Sequence, residues 1–534
     1  MAFPSKYFRQ EAVGNVRADV DLVIRQLVDL DAAPAAKRAR RASRSAAAPA
    51  ADGAAAADDA VQLASFPAHN FILDNSEYFM RQQAQCWQPS LQPPVTPNTR
   101  ACRGSSSSSS AANRATAPER PKIYLTVGSA EQLPAAEAFI AAMYGVPDAI
   151  SGLEQQQVVH VVVIADMVHA EAAGQQALQA LQAAAESEAG LEAAALEALA
   201  GLPVWPACLL QLLPSIVKHA ACCRDSEANL AAVTAADAGG RIQKLLVAAL
   251  GDLQAVWSEA QRQALLLALP LPAMQLLLSS DQLRVPSEDT VLYTAKRYVK
   301  AQKTAAKRAA AKAGLAPLVR APQLSLFALS CAALPADSEQ QLLGSGYAQQ
   351  LRLLLPLRRI ASAEELASEM LEFEGAPDSW RLGPRQVSPL GDGVRLEWRL
   401  PVQQLRQACR DSFEQQQVIY VESPGSSPPL GGVGWRLVVD CVQQEGGTVV
   451  GLYAGPVLAE VPNGVYFRFR ATASWSGVQI NWRSNCLNYE VYGDKNYFQL
   501  QPMAGGGWDE AAWAAAGLPT AGEMCLELCL HSVQ

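Results

Sequence analysis

The sequence predicts a multidomain chain: an α+β domain over residues 12–185, an all-α domain over residues 202–373 and an all-β sandwich over residues 380–534. Three observations carry this prediction. A length of 534 residues suggests two to four domains, not one. Prolines recur through 202–373 among helix-period patterns, so that stretch reads as a series of short helices. Past Trp380 the texture changes to short β-rich runs separated by Gly- and Pro-containing turns.

The elements follow in order. Val16–Ile24 reads as a strand with the acidic Asp19 near its start. Phe66–Ala68 reads as a second short strand, with His69 at the mouth of a helix that ends in Ser-x-x-Phe, Ser76 to Phe79. Lys122–Val127 is a strand by its β-branched and aromatic content. Gln132–Tyr144 is helical, with Leu133, Ala136, Ile140 and Met143 on one inner face. A helical hairpin follows from about Leu153 to Ala185, its apolar period marked by Val158, Val162, Ala165 and Met167. Two low-complexity stretches interrupt this domain, at about 32–60 and 88–120, the second holding the serine run Ser105–Ser110. Neither has the apolar content to offset chain entropy, so both read as disordered insertions in one domain.

From Leu202 the prolines at 203, 206, 214, 270, 272, 286, 317, 322 and 356 break the pattern into helices. The apolar run Ala264–Leu278 contains Pro270 and Pro272 and falls short of the ~20 residues a bilayer needs. It reads as a pair of core helices. A helix is expected from Ser287, with Ser287 as its cap, Glu288 and Asp289 at its positive end, and Val291, Ala295 and Tyr298 inside. Beyond Trp380, Trp435–Cys441, Thr448–Tyr453, Val465–Arg470 and Met524–Leu530 are the expected strands. Phe467 and Phe469 alternate there with Arg468 and Arg470, which suggests an antiparallel sandwich.

The formal charge of −8 argues against non-specific nucleic-acid binding by the whole chain. The first thirteen residues show no apolar core of a secretory signal. Eleven cysteines are scattered without regular spacing, which fits reduced thiols in the cytoplasm or nucleus. Lys37, Arg38, Arg40 and Arg41 form a basic cluster, and a second group of lysines and arginines runs from Lys296 to Lys312 on what reads as a solvated helix.

Three blocks carry a family resemblance. The stretch Phe66–Met80, with the strand upstream, resembles the opening of a BTB/POZ domain. Leu267–Val291, containing Ser-Ser-Asp-Gln-Leu-Arg-Val-Pro-Ser-Glu-Asp, resembles the core of a BACK domain. Gly434–Leu437 with Val450–Tyr453 is similar to the TRAF/MATH-like end of the plant POZ/BTB light-response proteins, which carry the three modules in this order. The resemblance implies a dimeric substrate adaptor of a cullin-3 ubiquitin ligase. BTB would dimerise and dock the cullin, and the C-terminal region would bind the protein to be ubiquitinated. It implies a nuclear or cytoplasmic location, a homodimer, cullin-3 and an unknown protein target as partners, and no enzyme activity or cofactor of the chain's own. Nucleic acid and membrane are not expected partners. The alternative is a dimeric BTB scaffold or transcription-associated protein without a ligase. The family's hydrophobic-x-Glu element before the strand at Lys122 has no clear equivalent.

Candidate sites follow from the same blocks. Asp19 and His69 match the family's recurrent pair near the dimer interface, where an Asp fixes the tautomer of a half-buried imidazole. Tyr78, Phe79 and Met80 stand where BTB domains meet the cullin, against the plainer reading of helix-end core. Trp435, Tyr453, Trp475 and Trp482 are the candidate target-binding aromatics, against ordinary strand core. Lys37, Arg38, Arg40 and Arg41 are the candidate nuclear-import signal. Cys525, Glu527, Cys529 and His531 share a strand face, but Cys525 and Cys529 would lie ~13 Å apart on an extended chain, too far for one zinc. His219, Cys222 and Cys223 read as helix packing. Gly431–Gly434 precedes a strand and lacks the helix N-terminus that holds phosphate. No catalytic, cofactor or metal residues are expected.

Overall fold

The structure is a computed structural model that describes residues 20–27, 60–68, 73, 76–86, 121–224, 229–333, 342–388, 393–424, 429–444, 447–457, 461, 465–475, 478–487, 492–495, 497–498, 508–515 and 517–533. Asp19, His69, the basic cluster Lys37–Arg41 and both low-complexity stretches lie outside the described residues, apart from Ala60, which opens a strand. The chain divides into two compact units, one of residues 1–201 and 206–212 and one of 202–205 and 213–534. The helical stretch and the C-terminal sheets therefore lie in the same unit.

The first unit is α+β. β1 (Val20–Leu27) is the centre of a three-stranded sheet, β2 (Ala60–Ala68) pairs with it antiparallel, and β3 (Lys122–Val127) pairs with it parallel. The parallel register sets Leu22 beside Ile123 and Ile24 beside Leu125, and all four are buried. A parallel neighbour requires a crossover, and that crossover carries α1 (Glu77–Cys86). Leu73 is helical, and α1 then begins after Ser76 and runs on past Phe79, where the expected helix ended. Ser76 anchors the turn: its amide donates to the Leu73 carbonyl at 3.0 Å, and its hydroxyl donates to the Val168 carbonyl.

Three longer helices follow: α2 (Leu133–Met143), α3 (Gln155–Val168) and α4 (Glu171–Glu186). α2 is buried on several sides through Ala135, Ala138, Phe139 and Ala142, while Leu133 and Met143 of the expected stripe are only half-buried. α3 and α4 form the expected hairpin. His169 turns the chain at a left-handed φ of 56°, and the Ala170 amide returns to the Ala165 carbonyl at 2.9 Å. Val158, Val162 and Ala165 are buried, but Met167 is exposed. Two residues past Ala165 is a rotation of about 200°, which takes Met167 off the stripe. α5 (Ala193–Ala200) and the single turn α6 (Ala207–Leu210) complete the described part of this unit.

The second unit opens with helices α7 (Leu213–His219), α8 (Leu230–Ala236), α9 (Arg241–Leu250) and α10 (Leu253–Ser258). The apolar run forms α11 (Ala260–Ala268) and α12 (Leu271–Ser279), bent by 113° at the break between them. Pro270 stands at the N-cap of α12 and Pro272 in its first turn, where a missing N–H costs nothing. Among the described residues no single helix is long and apolar enough to cross a membrane. The unit continues through β4 (Arg284–Val285), α13 (Glu288–Ala301), α14 (Ala305–Leu315), α15 (Leu326–Ala333), α16 (Gly344–Ile360) and α17 (Ala363–Glu372). Pro356 lies inside α16 and does not end it, contrary to the expected break. β4 pairs parallel with β5 (Gln386–Val387), a link across about a hundred residues that no local pattern signals.

After β5 come two four-stranded antiparallel sheets. One has β6 (Val394–Pro401), β10 (Tyr466–Trp475), β11 (Val478–Leu487) and β13 (Glu523–Val533), in the order β11-β10-β13-β6. The other has β7 (Ile419–Glu422), β8 (Trp435–Gln444), β9 (Gly447–Pro456) and β12 (Tyr492–Asp494), in the order β12-β9-β8-β7. Alternation fits: Phe467 and Phe469 are buried, and Arg468 and Arg470 are exposed. One core spans both sheets, with Trp398, Trp435, Phe467 and Leu526 among its members. The region is not all-β, however. α18 (Val402–Gln415) sits between β6 and β7 and sends Leu405, Ala408 and Cys409 into that core, and a short α19 (Glu510–Ala515) adds the buried Trp513. Phe327 and Cys331 of α15 join the same core.

Candidate functional site

Among the residues proposed for docking, α1 holds Tyr78, Phe79 and Met80 in its first turn, and these three diverge. Phe79 is fully buried and meets Tyr78 edge to face, with ring centroids 5.3 Å apart. It belongs to the core and is unavailable to a partner, which corrects its place in the docking triplet. Tyr78 is half-buried, and its hydroxyl donates to the Tyr124 carbonyl at 3.4 Å. Met80 points outward and is 45% exposed, next to the exposed Arg81. A fourth residue, which sequence reasoning missed, fixes this geometry. Gln82 donates through Nε2 to the Tyr124 carbonyl and accepts the Tyr124 amide through Oε1, each at 2.9 Å. The side-chain amide thus takes the place of a strand along the outer edge of β3, which pairs among the described residues with β1 alone, and holds α1 there, so that Met80 faces outward.

The four aromatics proposed for target binding do not form one face. Trp435 has no exposed surface, donates through Nε1 to the Leu430 carbonyl at 3.0 Å and packs against Phe469 with centroids 5.1 Å apart. Trp482 is buried on the other sheet. Both are core, because strand aromatics on the inner face of a sandwich supply its largest buried surfaces. The side chain of Trp475 lies outside the described residues. Tyr453 is the exception. It is half-buried on the outer face of the β7–β12 sheet, hydrogen-bonded to Asp440. Burial, and then the neighbouring Asp440, raise its hydroxyl pKa, and burial also raises the Asp440 carboxyl. Tyr420, opposite Asp440 on β7, is 60% exposed beside this pair. Its signal was the alternation of Ile419–Glu422, a run too short to stand out.

Among the described residues, the most buried charged groups are in the helical part. The expected cap Ser287 makes no capping bond to the start of α13. Glu288 and Asp289 turn inward instead of facing solvent at the helix end. Asp289 accepts the Ser325 amide at 2.8 Å, and Glu288 accepts the Arg320 amide at 2.9 Å and Arg385 Nε at 3.0 Å. Burial raises both carboxyls above their usual range, with Arg385 opposing it at Glu288. Arg385 also donates to the carbonyls of Ser280 at 2.6 Å and Leu318 at 3.0 Å, and Arg320 pairs with Asp281. Beside this cluster is a cavity of about 980 Å³, lined mostly by apolar side chains such as Leu230, Leu271 and Leu382. Both arginines reach it, but their charges are met by Glu288 and Asp281.

Cys525, Glu527, Cys529 and His531 do share the outer face of β13. Thr472 Oγ1 is 2.8 Å from His531 Nε2, and Cys529 Sγ is 3.9 Å from Nδ1. Among the described residues no group of three His, Cys, Asp or Glu side chains could hold a metal ion. Cys222 and Cys223 are adjacent and buried, with sulfurs 3.7 Å apart. No model of a known protein family matches the chain, and no curated protein matches it.

Proposed function

We propose that the chain is a BTB–BACK substrate adaptor of a cullin-3 ubiquitin ligase, with a TRAF/MATH-like C-terminal sandwich as its target-binding end. The observation that carries the reading is the β2-β1-β3 sheet with its parallel β1–β3 pair, interrupted by α1 and followed by α2, α3 and α4. This is the element order that the resemblance of Phe66–Met80 requires. The block around Glu288 and Asp289 adds support, since a helix pair, a short strand and α13 follow there in turn. Met80 and Arg81 supply an outward surface for the cullin, and Tyr420 with Tyr453 an outward aromatic surface for a target. The adaptor would work by proximity, raising the local concentration of target near the transfer machinery.

The second reading, a dimeric scaffold without a ligase, is favoured by the missing hydrophobic-x-Glu element. Affinity purification separates the two. The full chain is compared with one lacking Asp19–Ala185. The adaptor reading expects cullin-3 with the full chain, its loss on deletion, and retention of other partners. Partners without any cullin from the full chain would favour the scaffold.

A further inference from the structure

Cys409 of α18 and Cys441 of β8 place their sulfurs 3.3 Å apart, and neither residue has exposed surface. They are 32 residues apart in sequence. Leu405 and Ala408 of the helix and Leu437 and Val439 of the strand belong to the same apolar core, which holds the two thiols against each other. A disulfide needs sulfurs about 2.05 Å apart, so the gap to close is roughly 1.2 Å. Its hydrogen bond with Cys409, and after it burial, holds the Cys441 thiol well above its usual range. With both thiols buried, the pair is a slow target, unlike an exposed redox sensor.

We propose that Cys409 and Cys441 form an intramolecular disulfide under peroxide, cross-linking α18 to the centre of the β7–β12 sheet. In the first step one sulfur, losing its proton, attacks a peroxide oxygen. The O–O bond breaks, a sulfenic acid forms and one water leaves. In the second step the other sulfur attacks the sulfenic sulfur. The S–O bond breaks, the S–S bond forms, and a second water carries off the remaining thiol proton. Two thiols and one hydrogen peroxide become one disulfide and two waters, with two electrons passing from sulfur to oxygen. The second thiol is already in contact, so the sulfenic acid is captured before further oxidation. The bond would restrict the unfolded chain across the intervening loop. The proposal is independent of the adaptor reading.

The test uses the full chain. It is treated with hydrogen peroxide under native conditions, free thiols are alkylated after unfolding, and the digest is mapped by mass spectrometry. The expected product is a cross-linked peptide pair containing Cys409 and Cys441, two hydrogens lighter than the sum of its parts and split by reductant. The adjacent Cys222 and Cys223 serve as the internal comparison. The proposal is overturned if Cys409 and Cys441 both still take the alkyl label after peroxide exposure prolonged well past complete oxidation of the exposed Cys525. It is equally overturned if either is found as sulfinic acid or joined to another cysteine. In Cys441→Ser, Cys409 should appear uncross-linked. If that variant fails to fold, the map of the natural chain alone decides.

Discussion

Arg385 Nε donates to Glu288 Oε2 at 3.0 Å, with both side chains almost completely buried, and so ties the segment before β5 to the first turn of α13. The pair is 97 residues apart in sequence. Its remaining guanidinium donors go to the Ser280 and Leu318 carbonyls, so one side chain joins four segments.

Removing one partner leaves a buried charge alone. Arg385→Ala is expected to cost about 3–5 kcal/mol. Replacing both residues, as in Arg385→Met with Glu288→Leu, should recover much of that loss. Urea unfolding midpoints measure both. A double variant no more stable than the single would contradict the uncompensated-charge account.

Asp289 should make stability depend on pH. Burial raises its carboxyl above the ordinary value of about 3.9. Between that value and the raised one the folded chain binds more protons than the unfolded chain, so stability falls as pH rises through this window. Asp289→Asn keeps an oxygen for the Ser325 amide and removes this part of the slope. Glu288 is raised in the same sense and stays in the variant, so the expected result is a partial flattening. Urea midpoints across that range should show it, and an unchanged slope would count against the assignment.

Trp435→Ala should unfold, not merely unbind. Deleting a fully buried indole is expected to cost about 3–5 kcal/mol. Thermal unfolding followed by near-ultraviolet circular dichroism checks this. A variant with natural stability and lost target binding would restore Trp435 as a recognition residue.

Met80 and Phe79 should part company. Met80→Asp lies on an exposed helix face and should change stability by no more than about 0.5 kcal/mol, and, on the adaptor function proposed above, it should weaken cullin-3 capture. Phe79→Ala should lose both, at a stability cost of about 3–5 kcal/mol. Thermal unfolding of each variant, set beside its capture assay, reads the difference. Full capture by Met80→Asp would remove α1 from the docking surface.

Local elements were legible where a period repeats within one segment. Lys122–Val127, α3 with α4, and α13 with Val291, Ala295 and Tyr298 inside all read correctly. α18 was equally periodic, with Val402, Leu405, Ala408 and Cys409 at helix spacing, but surrounding strands obscured it. Pro356 misled because context overrides the usual penalty of a proline in a helix. The candidate sites were harder to read. Phe79, Met80, Trp435 and Tyr453 are all large and apolar or amphipathic, and composition alone does not say which face outward.

By itself the sequence determined where most of the helices and strands form, because propensity and periodicity act over a few neighbouring residues. Only the tertiary structure decided which side chains are available to partners and which are spent on the core. That choice depends on residues distant in the chain: Gln82 on the edge of Tyr124, Glu288 against Arg385, Cys409 against Cys441. Burial and hydrogen bonding are pairwise properties in space, and no local pattern encodes the second member of the pair.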